Sequence, residues 1–228
     1  MENNSYIVIS LGGSLIFPES IDVEFISGFK KLIESYVLKG QKFAIITGGG
    51  KICRYYNEAL EKITSPSSTD LDWLGISATR LNAELLRFSF GDMAEPAIFL
   101  DPQAPKITDK PILVGGGWKP GHSSDGSAVA LAKALGAKKL INLSNIDYVY
   151  TADPRKDPTA TPIKQSNWAD FRALLPKEWN PGINAPFDPV AAEMAQNLGL
   201  EVAVMNGKNL ENLANYFDGK EFVGTVIK

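Results

Sequence analysis

The stretch KLINLSNIDYVYTADPRKDPTAT, Lys139 to Thr161, changes character halfway along its length. Leu140, Ile141 and Leu143 form a short apolar run with β-branched content, as expected of a strand buried on both faces, and such strands belong to parallel sheets. At Ser144-Asn145 the run gives way to Asp147, Tyr150, Asp153-Pro154, Arg155, Lys156 and Asp157-Pro158. In an open α/β sheet, ligands sit outside the carboxyl ends of the parallel strands. Three acids, two bases and a tyrosine at that point suit a polar, charged ligand. Taken alone, the same residues also suit a solvated loop stiffened by proline.

Moving outward, the pattern repeats. Tyr6–Leu11 is an apolar strand running into Gly12-Gly13-Ser14, and Lys42–Thr47 is another running into Gly48-Gly49-Gly50-Lys51, with Arg54 one turn later. Successive glycines that open a helix offer free N–H groups and the positive end of the helix dipole to an anion. Neither loop is G-x-x-x-x-G-K-[ST] or G-x-G-x-x-G, so neither a P-loop nor a dinucleotide fold is indicated. A helix is predicted over Ser20–Lys39, capped by Ser20 and closed before Gly40, with Ile26, Phe29, Ile33 and Tyr36 inward. Ser65–Ser68 reads as a linker.

A long helix over Asp70–Phe90 follows, ended by Gly91. Its apolar positions Leu71, Leu74, Ala78, Leu81, Leu85 and Phe88 are expected to face the core, leaving Asp72, Gly75, Thr79 and Asn82 as a polar row. Strands are expected at Ala97–Leu100 and Ile112–Val114. The second enters the loop Gly115 to Asp125, where Ser124 or Asp125 could cap the helix that runs to Leu135. Beyond Thr161, helices are expected over Asn167–Leu175, Asp188–Leu198 and Leu210–Phe217, strands over Val202–Met205 and Gly224–Ile227, and an irregular segment over Pro176–Pro186. Alternating strands and helices imply an α/β fold, a three-layer αβα sandwich on a mostly parallel sheet with right-handed crossovers. One domain is expected over 1–228, with lobes of about 1–138 and 139–228.

Asn145-Ile-Asp147-Tyr-Val-Tyr150-Thr-Ala-Asp153-Pro-Arg-Lys156-Asp-Pro-Thr-Ala160 resembles the nucleotide loop of the amino-acid-kinase superfamily, most closely that of its uridylate (UMP) kinase branch. Asp72-Trp-Leu-Gly-Ile-Ser-Ala-Thr-Arg-Leu-Asn82-Ala resembles the nucleoside-recognising helix of that branch. Pro120-Gly-His-Ser-Ser-Asp125 resembles the Pro-Gly-His-Thr-Thr-Asp loop of its archaeal type, and the closing Gly224-Thr-Val-Ile matches as well. The resemblance covers essentially the whole chain.

It implies transfer of the ATP γ-phosphoryl group to UMP, with Mg²⁺ accompanying ATP. It gives catalytic roles to Lys156, Asp147 and Lys51, and ATP contacts to Gly13, Ser14, Gly50, Arg54, Ser144, Asn145, Tyr150 and Asp153. UMP would meet Gly49, Asp72, Trp118, Lys119, Pro120, Gly121, His122, Ser123 and Ser124. No residue is assigned as a metal ligand. A homo-oligomer, a hexamer built as a trimer of dimers, is implied too. Two positions depart from the pattern: Ser10 stands where many members have lysine, and Tyr148 where glycine is usual. If position 148 needs φ > 0, tyrosine is strained there and the loop is reshaped. Lys51 is the candidate to replace the missing lysine. Two rivals stay open, namely a sibling kinase acting on another small phosphate such as isopentenyl phosphate, and a nucleotide-binding sensor or storage protein without catalysis.

Composition narrows the field. The 228 residues are 44% hydrophobic with a net charge of -3, and a sequence pI ≈ 5.3 disfavours general affinity for nucleic acid or anionic membrane. One cysteine, Cys53, allows no intrachain disulfide and fits a reducing, cytoplasmic setting; with one histidine, His122, it cannot build a usual zinc site. No run approaches the ~20 residues of a membrane span. The start lacks the basic n-region of a secretory signal. The partner expected is a small molecule.

Overall fold

The computed structural model describes residues 6–176 and 185–228. Their elements run β1 (Tyr6–Leu11), α1 (Gly13–Ile16), α2 (Val23–Val37), β2 (Lys42–Thr47), α3 (Gly50–Ile63), α4 (Ser68–Phe90), β3 (Ile112–Gly115), α5 (Ser124–Leu135), β4 (Lys139–Ser144), β5 (Val149–Tyr150), β6 (Pro162–Ile163), β7 (Gln165–Ser166), α6 (Trp168–Ala173), α7 (Pro189–Asn197), β8 (Glu201–Asn206), α8 (Leu210–Phe217) and β9 (Thr225–Ile227). Of the expected irregular segment Pro176–Pro186, residues 177–184 lie outside the described residues.

Seven strands form one sheet in the order β3-β2-β1-β4-β8-β9-β7. The first five are parallel, and β9 meets β8 antiparallel. Alternate side chains of these strands feed two cores, as a sheet covered on both faces requires. Val8, Leu140, Val202 and Val204 pack with α5, α6 and α7 on one side. Ile9, Leu11, Ile141 and Met205 pack with α2, α4 and α8 on the other. Burial of a side chain such as Phe29 or Ile33, both 0% exposed, is worth about 1.5–3 kcal/mol. These layers are the expected three-layer αβα sandwich.

Several local expectations shift. Asp22, not Ser20, caps α2 by accepting from Phe25 N at 2.9 Å. Ser67 and Asp70 make a reciprocal capping box, so α4 starts at Ser68, inside the expected linker. Ala97–Leu100 forms no strand; only an isolated bridge joins Phe99 to Gly115. The loop after β4 contains a small antiparallel pair, β5 with β6, that no periodicity announces.

The largest correction concerns α4. Its buried residues are Ile76, Ala78, Asn82, Ala83, Leu86 and Phe90, while Leu81 and Phe88 are 60% and 69% exposed. The helix is rotated from the apolar-stripe expectation, turning the polar row toward the ends of the strands. The reason is chemical: the glycine loops there carry backbone groups that must be hydrogen-bonded, and only a polar face can do it.

Candidate active site

Strand order reverses between β1 and β4. The chain leaves β1 toward β2 on one side, while β4 and β8 lie on the other, and such switch points open a crevice at the carboxyl ends. Gly12-Gly13 lies there, with Gly12 N donating to Leu143 O across the switch at 2.8 Å. Gly13 packs directly on the second glycine loop: a β-carbon at Gly13 would fall on the Gly50 nitrogen and on the carbonyl carbons of Gly48 and Gly49. Gly50 has φ +67, a backbone open to glycine at little cost. The two glycine turns therefore form one surface at the mouths of β1 and β2, with Ser14 on its first turn.

Helix α4 clamps that surface. Asn82, 3% exposed, donates to Gly48 O at 2.8 Å and Gly49 O at 3.2 Å. Thr79 Oγ1 accepts from Gly117 N at 2.6 Å. Arg80 donates to Gly117 O and Trp118 O at 3.2 and 3.0 Å. The buried Thr47 hydroxyl donates back to Thr79 O at 2.9 Å. One helix thus sets the relative position of the 48–50 and 115–118 loops. The sequence reading missed Asn82 and Thr79 as positioning residues, although both stood in the polar row.

Asp72 lies in the same row, its carboxylate accepting from Gly121 N at 2.8 Å. The loop it touches carries Trp118, whose ring meets His122 edge-on at 4.7 Å and lies under Lys119 at 3.9 Å. Pro120 O is 3.3 Å from His122 Nδ1. Ser123 is the cap of α5, accepting from Gly126 N at 3.0 Å, so neither Ser124 nor Asp125 has that duty. Cys53 faces Gly49 and Gly75, and burial raises its thiol pKa.

Relieved of capping, Asp125 turns to the sheet. Its Oδ1 accepts from Ser10 Oγ at 3.0 Å and Asn142 Nδ2 at 3.2 Å, and its Oδ2 from Asp188 N at 3.2 Å. Ser10 and Asn142 are register neighbours on β1 and β4, so the acid straddles the switch point. Burial pushes it up to about 6, with the Ser10 hydroxyl pulling the other way. At the position where lysine was anticipated, a hydroxyl thus holds a carboxylate. No local pattern signals this contact, which spans 115 residues.

Lys51 is ion-paired with Glu19. That bond raises the lysine and lowers the acid. Arg54 is exposed on α3.

On the far side, Ser144 ends β4 and its hydroxyl accepts from Ile146 N at 3.4 Å; Asn145 beside it is exposed. Asp147 accepts from Asn206 Nδ2 at 2.9 Å. Tyr150 lies in β5, 6.5 Å from the Tyr148 ring. Asp153 holds Arg155 through both carboxylate oxygens at 3.0 Å, which lowers the acid. Lys156 N donates to Asp153 O at 2.9 Å, and its side chain enters no ion pair among the described residues. The anticipated strain at Tyr148 is absent: no non-glycine among the described residues has positive φ. The loop accommodates tyrosine in ordinary backbone.

No group of three or more His, Cys, Asp or Glu that could hold a metal gathers among the described residues. An Mg²⁺ ion held mainly by substrate phosphates and water needs only one or two carboxylates, and Asp147 fits that part. Among the described residues no helix is long and apolar enough to cross a membrane.

A model of the Amino acid kinase family matches residues 5–206. The uridylate kinase of Pyrococcus abyssi is 34% identical over 225 residues, covering 97% of this chain and 99% of that protein. That of Methanospirillum hungatei is also 34% identical, covering 97% and 94%. The crystal structure of uridylate kinase from Archaeoglobus fulgidus superposes with a TM-score of 0.84 at 32% identity, covering 98% of this chain and all of that one.

Proposed function

The chain belongs to the amino acid kinase family, alongside the archaeal-type uridylate kinases, and from that membership we propose that it is an ATP-dependent kinase converting UMP to UDP. The observation that carries the proposal is the single backbone surface formed by the Gly12-Gly13 and Gly48–Gly50 turns at the switch point. Bringing two multiply charged phosphates together is mainly a matter of position and electrostatics. Backbone N–H groups of two abutting turns offer both.

Gly13, Ser14 and Gly50 would cradle the transferring phosphate, Gly49 the acceptor phosphate, and Arg54 the ATP side. Ser144, Asn145, Tyr150 and Asp153 would hold ATP, and Lys156, whose side chain enters no ion pair among the described residues, would supply charge to the developing transition state. Mg²⁺ bound with ATP would neutralise and align its phosphates. UMP would lie against Asp72 and the Trp118–Ser124 loop. Asp72 already accepts a hydrogen bond in this place, and a carboxylate suits a sugar hydroxyl equally. Lys51 would serve the missing-lysine role only after leaving Glu19. Asp125 we assign as a positioning residue, an acid held at the boundary of the two lobes, 1–138 for UMP and 139–228 for ATP.

A homo-oligomer, a hexamer as a trimer of dimers, is part of the proposal. In its support, α3 buries none of its residues, and Tyr56, Ile63, Trp73, Leu81 and Phe88 stand exposed on α3 and α4. A cytoplasmic setting suits the lone Cys53. The test is ADP release from Mg-ATP with UMP, CMP, dUMP and isopentenyl phosphate in parallel. The proposal expects turnover with UMP; turnover with isopentenyl phosphate in its place would transfer the chain to a sibling activity.

A further inference from the structure

One rim of the glycine surface carries three side chains, Lys51, Glu19 and Tyr55, that hold one another. Lys51 directly follows Gly50, and Glu19 follows the short helix α1 that leaves Gly13, so each stands within a few residues of one of the two abutting turns. The backbone joins them first: Lys51 N donates to Phe17 O at 3.0 Å, and Phe17 N to Gly13 O at 2.8 Å. Asp22 N closes the segment 17–22 by donating to Ile16 O at 2.9 Å, which presents Glu19 from a short loop with both ends held. The Glu19 carboxylate pairs with the Lys51 ammonium and, on the same oxygen, accepts from the Tyr55 hydroxyl at 3.2 Å. Tyr55 lies one turn along α3, with the Lys51 ammonium 5.5 Å from its ring centre.

What this cluster does to an incoming phosphate follows from charge. The backbone N–H groups of the turns are neutral, and Lys51 is the cation adjacent to them in sequence. A carboxylate and a phosphate offer an ammonium the same kind of partner, anionic oxygens. Glu19 therefore occupies Lys51 as a resident substitute for phosphate. It is also a displaceable one: its side chain is 72% exposed and that of Lys51 30%, and exposed pairs are weak and screened by salt. A buried pair would lock the lysine away, whereas an exposed one exchanges.

We propose that Glu19 is a positioning residue, a counter-ion that holds Lys51 at the rim of the empty site and yields it to the phosphate of the incoming acceptor. The proposal rests on the kinase reading for the identity of that acceptor. It requires that Glu19 weaken phosphate binding, and that it do so only through Lys51. Glu19→Gln keeps the size of the side chain and an acceptor for Tyr55 while removing the competitor. UMP titrated into the intact protein without ATP should bind about two- to fivefold more tightly to Glu19→Gln than to wild type, the range that an exposed pair is worth. Uridine, which has no phosphate, should bind both equally. In the Lys51→Met background the gain from Glu19→Gln should vanish. Equal or weaker UMP binding by Glu19→Gln would overturn the inference, as would a matching gain for uridine. So would a gain of the same size with Lys51 removed, which would make Glu19 a simple repulsive charge. Pyrophosphate titrated across wild type, the two single variants and the double variant must show the same dependence on Lys51. Because pyrophosphate carries no nucleoside, failure of the uridylate reading appears separately, as that dependence intact in a protein that does not bind UMP.

Discussion

Replacing Asp125 with asparagine should make the protein more stable and less active. The side chain keeps its size, and with its amide oxygen in the Oδ1 place it still accepts from Ser10 and Asn142; what is lost is the charge and the bond from Asp188 N, which sets the gain below the full electrostatic figure. In the fold the acid is pushed from its ordinary 3.8 up to about 6, which corresponds to about 3 kcal/mol. The sign follows from linkage: between pH 3.8 and about 6 the folded state holds a proton that the unfolded chain has released, so stability contributed by this group falls as pH rises through that window. Above it the full cost persists. Asp125→Asn should then gain up to about 3 kcal/mol at pH 7, on the order of 6–12 °C in midpoint for a chain of this size, and the gain should vanish near pH 4. Activity should fall about 100-fold, and wild-type kcat/KM should decline below pH 6 while the variant's does not. Urea denaturation across pH, beside steady-state kinetics, measures both. A variant with unchanged stability at pH 7 and full activity would refute the reasoning.

Asn82→Ala leaves two loop carbonyls without their donor and should cost about 2–4 kcal/mol, read as a midpoint loss of roughly 5–15 °C, with UMP turnover reduced as the 48–50 loop loosens. Gly13→Ala places a β-carbon into the backbone of Gly48–Gly50; neither turn can yield, and a loss of at least about 3 kcal/mol is expected in denaturant titration. Lys156→Ala should lower kcat by two orders of magnitude or more with little change in nucleotide binding, checked by kinetics and titration calorimetry together. For the exposed Lys51–Glu19 pair, Glu19→Gln should leave the midpoint unmoved, whereas Lys51→Met should depress kcat if Lys51 replaces the lysine absent at Ser10.

The sheet was legible because buried parallel strands announce themselves: Phe43–Ile46 is a continuous apolar run, Leu140–Leu143 is interrupted only by Asn142, and the glycines after β1 and β2 mark where those strands end. The orientation of α4 was not. Its apolar stripe through Leu81 and Phe88 has the right period but is exposed, while Asn82 is buried, because hydrogen bonds owed to loops from other parts of the chain decide the face. Nothing local to α4 encodes that debt. The same holds for Asp125, whose partners come from β1, β4 and the start of α7. Ser10 reads as a lost lysine in sequence and becomes a hydrogen-bond donor to a carboxylate only in three dimensions. At Tyr148 the sequence suggested strain from a family pattern, and the backbone instead adopts a conformation that any residue tolerates.

The measurement that goes most directly to the central claim is phosphorus NMR of a solution of Mg-ATP and UMP with a catalytic amount of the protein. The account predicts that UDP and ADP resonances grow in equal amounts at the expense of ATP and UMP. Unchanged ATP and UMP in the presence of protein that binds both would contradict it, and would leave a nucleotide-binding protein without phosphoryl transfer.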